Sequence, residues 1–269
     1  MTNQRFSRQS FLGEHSQSVI EQAVVGCIGL GGGGGHIVQE LAHIGFLNYR
    51  LFDQDHADES NLNRLVTATE ADVLAGVPKT ELAKRRILSI RGAAKVETFM
   101  GRWQERPELL RGSDIIFGCV DGFAERRELE IACRRHIVPL IDIGMDVFTI
   151  GDEPPRMGGQ VILSIPDAPC MTCLGFLNET NLSREAARYG DAGPRPQVVW
   201  PNAILAASAV GIAVDLLTDW TRSLRAAVYL SYDGNRGTLV PHPRLVHYDG
   251  AACPHFPPTD VGPPRFKKL

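Results

Sequence analysis

Two groups of residues in this 269-residue chain have types and spacings that could do chemistry. The first is Gly29-Leu30-Gly31-Gly32-Gly33-Gly34, a G-x-G-x-x-G run within "GCIGLGGGGGH". Glycines so spaced let the backbone turn tightly and approach a ligand closely, and a helix starting behind them offers unpaired N–H groups to an anion. A phosphate-bearing ligand is the chemistry implied, against the plainer reading of a structural glycine turn. Asp53 closes the next apolar run, "YRLFD", where a carboxylate can accept hydrogen bonds from ribose hydroxyls. NAD and ATP both satisfy these two features. The second group is Cys170-Met-Thr-Cys173, the only pair among six cysteines with metal-ligand spacing.

These residues need strands and helices to hold them. Residues 23 to 30, "AVVGCIGL", read as a short strand that the glycines end. The following "HIVQELAHIG" has helical spacing at Ile37, Leu41 and Ile44 before Gly45. "YRLFD" is the second strand, a helix spans Lys79 to Ile90, and "KVETFMG" is a weaker strand. A buried strand at "SDIIFGCVDG", a helix at "FAERRELEIACRRHI" and a strand at "VPLIDIGMD" carry the alternation to about residue 150. The fold class expected is α/β, a Rossmann-like and mostly parallel sheet. Further on, "GQVILSI", "AAVYLSYD" and "TLVPHP" read as strands of an added antiparallel C-terminal part. Between them lie a polar crossing loop at 174–201 and an apolar helix at 202–217. The Pro-rich residues 251–269 are expected to run extended over a surface.

A net charge of −3 gives no electrostatic case for nucleic acid as the main ligand. The N-terminus is polar and lacks the apolar core of a secretory signal. "AILAASAVGIAVDLL" is short for a bilayer span, follows Pro201-Asn202 and contains Asp215, so a buried helix and no membrane are expected. Cys27, Cys119 and Cys133 sit in apolar runs as buried thiols would. A reduced, cytoplasmic protein is the expectation.

The stretch "FDQDHADESNLNRL" resembles the D-x-D…S-N-L-x-R-Q signature of the ThiF/MoeB/HesA adenylyltransferases, which include the catalytic domains of ubiquitin-activating enzymes. "RFSRQ" at 5–9, "GVPKTELAK" at 76–84, "GCVDG" at 118–122 and "PCMTCL" at 169–174 extend the resemblance in the family's order. It favours ATP over NAD. It implies that Gly29, Gly31, Gly32 and Gly34 take the phosphates and that Asp53 binds ribose. Asn61, Arg64 and Lys79 match polar residues around the triphosphate, and Asp121 matches the aspartate associated with Mg²⁺. Arg8 matches an arginine that, in dimeric members, reaches the partner subunit's site. One ThiF-type adenylation domain over 1–269 is implied, with a nucleotide-binding half at 1–150 and a partner-binding half at 151–250. Each residue also has a bland role: Arg64 and Lys79 as solvated charges, Asp121 as a helix cap, Asn61 as a turn residue.

Two departures qualify the resemblance. The family's structural zinc site pairs two CxxC motifs, whereas the second is here "ACPHF", with Phe256 where the last cysteine would fall. Cys253 and His255 are then the expected third and fourth ligands of Zn²⁺ beside Cys170 and Cys173, since thiolate and imidazole both suit that ion. The alternative is a degenerate site without metal. Members that proceed to a thioester carry a cysteine in the crossing loop, and residues 174–201 contain none. The expected activity is Mg²⁺-dependent adenylation of a carboxylate, in the form of the C-terminal glycine of a ubiquitin-like or sulfur-carrier protein, with direct handover. An oxyester through Thr172, Thr180 or Ser183 is the other route, though no histidine in the loop could serve as base. A homodimer is expected, and a conjugating enzyme is a further partner the resemblance allows. The rival readings are an NAD-dependent oxidoreductase and a non-catalytic scaffold that binds a ubiquitin-like protein.

Overall fold

The computed structural model describes residues 4–149, 151–187, 196–223, 228–247 and 253–257, together with 259, 261 and 262. A 3₁₀ segment at Gln4–Leu12 and helix α1 (Ser16–Gln22) lead into β1 (Val24–Ile28), α2 (Gly32–Ile44) and β2 (Asn48–Asp53). Helices α3 (Glu70–Leu74) and α4 (Lys79–Ile90) precede β3 (Lys95–Met100) and β4 (Ile115–Gly118). Then come α5 (Phe123–His136), β5 (Leu140–Phe148), β6 (Arg156–Ser164), α6 (Glu179–Ala187) and α7 (Val199–Thr218). Strands β7 (Val228–Asp233) and β8 (Thr238–Pro241) follow.

All eight strands form one sheet in the order β3-β2-β1-β4-β5-β6-β7-β8. β3, β2, β1, β4 and β5 run parallel, while β6, β7 and β8 are added antiparallel. This is the expected Rossmann-like sheet with an antiparallel C-terminal part. β4, "IIFG", is buried along its whole length, because helices cover both faces of the parallel part. Ile115 and Phe117 face one core with α2, α4 and α7, whereas Ile116 faces the other with α5 and the Cys170 loop. Ile37 and Leu41 of α2 are fully buried in the first core, each worth roughly 2 kcal/mol. The chain turns to opposite sides of the sheet after β1 and after β4. That switch leaves a crevice at their C-terminal ends, where open α/β sheets bind ligands.

Three elements differ from the sequence expectation. α2 begins at Gly32 rather than at His36, so the glycines themselves form its first turn. A Cβ at Gly34 would overlap the Gly29 carbonyl, and Gly29 has φ +85°. Only glycine lets the helix start so close to the strand it leaves. α7 begins at Val199, ahead of Pro201-Asn202. Proline is tolerated in a first turn, where its missing N–H has no helical partner to lose. α7 is long and apolar enough to span a membrane by composition, but Leu205, Ala206, Ala209 and Ala213 are buried against α2 and the sheet. The crossing loop is not wholly irregular: α6 lies within it, and residues 188–195 fall outside the described residues. Of the tail, Cys253–Pro257 is described and contains neither helix nor strand, while 263–269 fall outside.

Candidate active site and a cysteine–histidine cluster

A cavity of about 290 Å³ opens at the C-terminal ends of β1, β2, β4 and β5. Gly29, Gly31 and Gly32 form one part of its wall, and Asp53, Arg64, Lys79 and Asp121 reach it from four separate segments. Gly34 is not in the wall and serves the close approach of α2 to Gly29. Asn61 is also outside the wall. Its carbonyl accepts from the N–H of Arg64 at 2.9 Å and of Leu65 at 2.8 Å, so it builds the turn that carries Arg64. Arg8 is exposed on the N-terminal 3₁₀ segment and is not brought to the cavity.

Asp53 ties the cavity together. Its Oδ2 accepts from the Leu30 N–H at 2.6 Å and its Oδ1 from the Asp55 N–H at 2.8 Å, linking the glycine loop to the end of β2. Burial pushes its carboxyl above the usual carboxylate range, opposed by the Lys79 charge and the two N–H donors. Lys79 opens α4 and pairs with Asp55, Nζ to Oδ2 2.8 Å, with only 11% of its side chain exposed. It is therefore not a solvated surface charge. The Arg64 guanidinium donates to the Ser60 carbonyl at 2.7 Å and to Asn63 Oδ1 at 2.9 Å, which fixes its direction at the cavity edge. Asp121 follows β4 and its Oδ1 accepts from Gln197 Nε2 at 3.3 Å. It does not cap α5. Gly122 holds that position, and the Phe123 and Ala124 N–H groups donate to the Glu185 carboxylate of α6 at 3.1 and 2.9 Å.

Among the cavity residues that escaped the sequence reading are Arg126, Gln160, Glu125 and Trp103. Arg126 looks like part of a solvated helix face in "ERRELE", yet it is only 6% exposed. Its guanidinium donates to Asp142, to the Val120 carbonyl and to the Ile143 carbonyl, the last at 3.0 Å. Asp142 is fully buried; burial pushes its carboxyl up, and the Arg126 charge and a Gln160 Nε2 donor at 3.3 Å oppose that. A signal for this pair was present. An aspartate inside the apolar run "VPLIDIG" has to find a cation or a donor when its strand is buried.

Cys170, Cys173, Cys253 and His255 converge elsewhere, with their four ligand atoms all within 4.8 Å of one another. The Sγ atoms of Cys170 and Cys173 are 3.6 Å apart, as are those of Cys173 and Cys253. His255 Nδ1 lies 3.4 Å from Cys170 Sγ and 3.3 Å from Cys173 Sγ. Three sulfurs and one imidazole nitrogen so arranged fit a closed tetrahedral Zn²⁺ site. α5 holds the loop that carries the CxxC. Buried Glu130 accepts from the Met171 N–H at 2.8 Å, and Arg134 donates to the Ala168 and Pro169 carbonyls at 3.0 Å each. None of the four ligands lines the cavity. Cys27 and Cys133 are buried as expected, while Cys119 is only partly so and borders the cavity.

The ThiF family model matches residues 4–254 of this chain. The SAMP-activating enzyme E1 of Haloferax volcanii is 30% identical over 175 residues, covering 63% of this chain and 61% of that protein. The molybdopterin-synthase adenylyltransferase of Salmonella typhimurium is 30% identical over 208 residues, covering 69% of this chain and 83% of that protein. The crystal structure of E. coli MccB with AMPCPP and MccA shares the fold, with a TM-score of 0.73 at 20% identity over 90% of this chain and 71% of that one. A family match along nearly the whole chain and relatives named for adenylyl transfer agree with the convergence of the glycine loop, Asp53, Lys79 and Asp121. The chain belongs to the ThiF family of adenylyltransferases.

Proposed function

We propose that the cavity binds ATP with Mg²⁺ and adenylates a protein carboxylate, the C-terminal glycine of a small ubiquitin-like or sulfur-carrier protein. The observation that carries this reading is that Gly29, Gly31, Gly32, Asp53, Arg64, Lys79 and Asp121, drawn from five segments, line one cavity at the sheet's switch point. In the reaction a carboxylate oxygen attacks the α-phosphorus, the bond to the bridging oxygen breaks, and acyl adenylate and pyrophosphate form. Negative charge grows on the phosphate oxygens as this happens. Lys79 and Arg64 stand where that charge would lie, and preorganised cations of this kind are worth about 10²–10³ in rate each. Asp53 would bind the ribose hydroxyls, and the glycine loop would place the phosphates at the N-terminus of α2. Asn61 acts through Arg64, whose turn it closes. The Asp121 carboxylate is an exposed oxygen donor at the cavity, which suits Mg²⁺; the ion would neutralise phosphate charge there.

Further parts of the reading rest on other residues. Cys170, Cys173, Cys253 and His255 hold one structural Zn²⁺. The enzyme acts in the cytoplasm as a homodimer in which Arg8 of one protomer serves the other's cavity, and a conjugating enzyme receives the activated partner. The test is ATP–pyrophosphate exchange, run with Mg²⁺ and with ubiquitin-like proteins ending in glycine from the same genome. Exchange that requires such a protein supports the reading. ATP binding without exchange, across every such candidate, would leave a scaffold in its place.

A further inference from the structure

The cavity continues past Asp53, away from the glycines. There its wall is made by Gly101 to Trp103 after β3, by Phe52, and by Phe123 and Glu125 in the first turn of α5. If the phosphates rest on the glycines and the ribose at Asp53, as the adenylyltransferase reading holds, the base has this end left to it. The sugar separates base from phosphate, so both cannot lie on one side of Asp53. Phe52 and Trp103 are buried and Phe123 is half-buried, which makes the end largely aromatic. Flat apolar walls accept any purine. Choice between purines needs a polar group at the base edge.

Glu125 is that group. Its Oε1 accepts from Trp103 Nε1 at 3.2 Å, and Trp103 itself is 1% exposed. The indole is therefore fixed by packing and fixes the carboxylate in turn. Among the described residues, no hydrogen-bond donor engages the second carboxylate oxygen. Arg102 stands nearby but is exposed. Burial, with the nearby Asp121 and Glu128 carboxylates, pushes the Glu125 carboxyl up, opposed by the Trp103 N–H donor and the Arg102 charge; in its ionised form it offers acceptors only. Adenine carries an amino donor at its 6-position, whereas guanine carries a carbonyl oxygen whose lone pairs would face the carboxylate.

We infer that Glu125 selects adenine over guanine, its free oxygen accepting from the 6-amino group of the base. This rests on the proposed function and adds the residue that makes the nucleotide ATP. The plainer role for Glu125 is support of Trp103 and of the α5 N-terminus. That role affects stability and leaves base choice untouched.

Calorimetric binding of non-hydrolysable triphosphates to the full chain with Mg²⁺ tests it. The wild type should bind the ATP analogue at least about tenfold more tightly than the GTP analogue or the purine riboside analogue, which lacks the 6-amino group. That factor is the size of one hydrogen bond to a charged acceptor. Glu125→Ala should bind all three within about threefold of one another, and Glu125→Gln, whose amide oxygen still accepts, should keep part of the preference. Trp103→Phe leaves Glu125 in place without its anchor and should lower the preference, which keeps the test open if Glu125→Ala does not fold. A wild type that binds adenine and purine riboside analogues equally overturns the inference, as does a folded Glu125→Ala with the wild-type ratio. A wild type that binds none of the three sinks the adenylyltransferase reading itself.

Discussion

The cavity proposed to hold ATP and the cysteine–histidine cluster are built on opposite principles. The cavity draws its groups from the ends of strands and the starts of helices, and it leaves them partly unsatisfied: Lys79 leans on a single carboxylate, and Asp53 has lone pairs beyond its two N–H donors. The cluster gathers ligands from two loops some eighty residues apart and turns all four inward on one point. Groups meant for a substrate have to stay open to it, and the sheet keeps them apart at fixed spacing. Groups meant for a structural ion are finished when they meet each other. The contrast predicts that damage to the cavity removes activity and leaves the fold, while damage to the cluster does the reverse.

The largest effect expected is in the cavity. Asp121→Ala should remove nearly all pyrophosphate exchange, and Lys79→Ala should lower it about a hundredfold, the loss typical of a transition-state donor. Both variants should melt within about 2 °C of the wild type, since Asp121 is exposed and Lys79 loses one ion pair to a mostly exposed carboxylate. Full exchange by Asp121→Ala would break the assignment of that residue. Unfolding of Lys79→Ala would break the contrast instead.

The cluster should behave the other way round. Protein purified without chelator should hold one Zn²⁺ per chain by elemental analysis, and Cys170→Ser should hold less than half of that. Metal binding is folding free energy for the loops it ties, so the variant should melt about 10 °C lower or more. Exchange measured well below that melting point should stay within about threefold of wild type. Well-folded wild type lacking zinc would show that "ACPHF" has lost its ion.

Arg126 and its partner Asp142 sit between these two extremes, since both are buried and Arg126 lines the cavity. Asp142→Asn leaves a buried guanidinium without its counter-ion and should destabilise by about 3–5 kcal/mol in denaturant unfolding. Replacing both partners, as Arg126→Met with Asp142→Leu, should restore much of that stability because no charge is left uncompensated. Activity should not return with it. Arg126 also holds the Val120 and Ile143 carbonyls, and Val120 precedes Asp121. A double variant that recovers exchange would reduce the pair to a structural one.

What could be read from the sequence follows the same division. Glycine at the strand end and aspartate closing "YRLFD" are residue types that a phosphate-bearing ligand demands at those places, and the resemblance to the family's motifs added Lys79. Their convergence could be anticipated. His255 was legible because Phe256 stands where the second metal motif would place its last cysteine, and the residue just before it is a ligand type that suits the same ion. The start of α2 was not, since a run of glycines is a poor helix former and reads as a break. Only contact with Gly29 explains it. Arg126 was hidden among the other charges of α5, and Glu185 could not have been seen capping α5, for the two are joined only by tertiary packing. Local preference governs neither.

The smallest effect concerns Glu40, on α2 but outside the cavity wall, which separates stability from activity within the same helix that the glycines begin. Burial pushes its carboxyl up to about 7, with no opposing partner. His36, one turn earlier, is held below its usual range by burial, and its Nε2 is buried without a hydrogen bond among the described residues. A carboxyl whose folded pKa exceeds its unfolded value binds its proton more tightly in the native state. Its contribution is therefore full below about 4.5 and is lost as pH rises through about 7. Glu40→Gln, neutral at every pH, should match wild type near pH 5 and melt higher at pH 8. Glu40 is half-exposed, so solvent screens the penalty and the gain should be about 1 kcal/mol or less, roughly 2–4 °C. Exchange activity should not change, because Glu40 is not part of the cavity wall proposed to hold ATP. Equal melting of the two proteins at pH 8 would show that Glu40 is solvated in the native state, and a loss of exchange would place α2's outer face in the catalytic assembly.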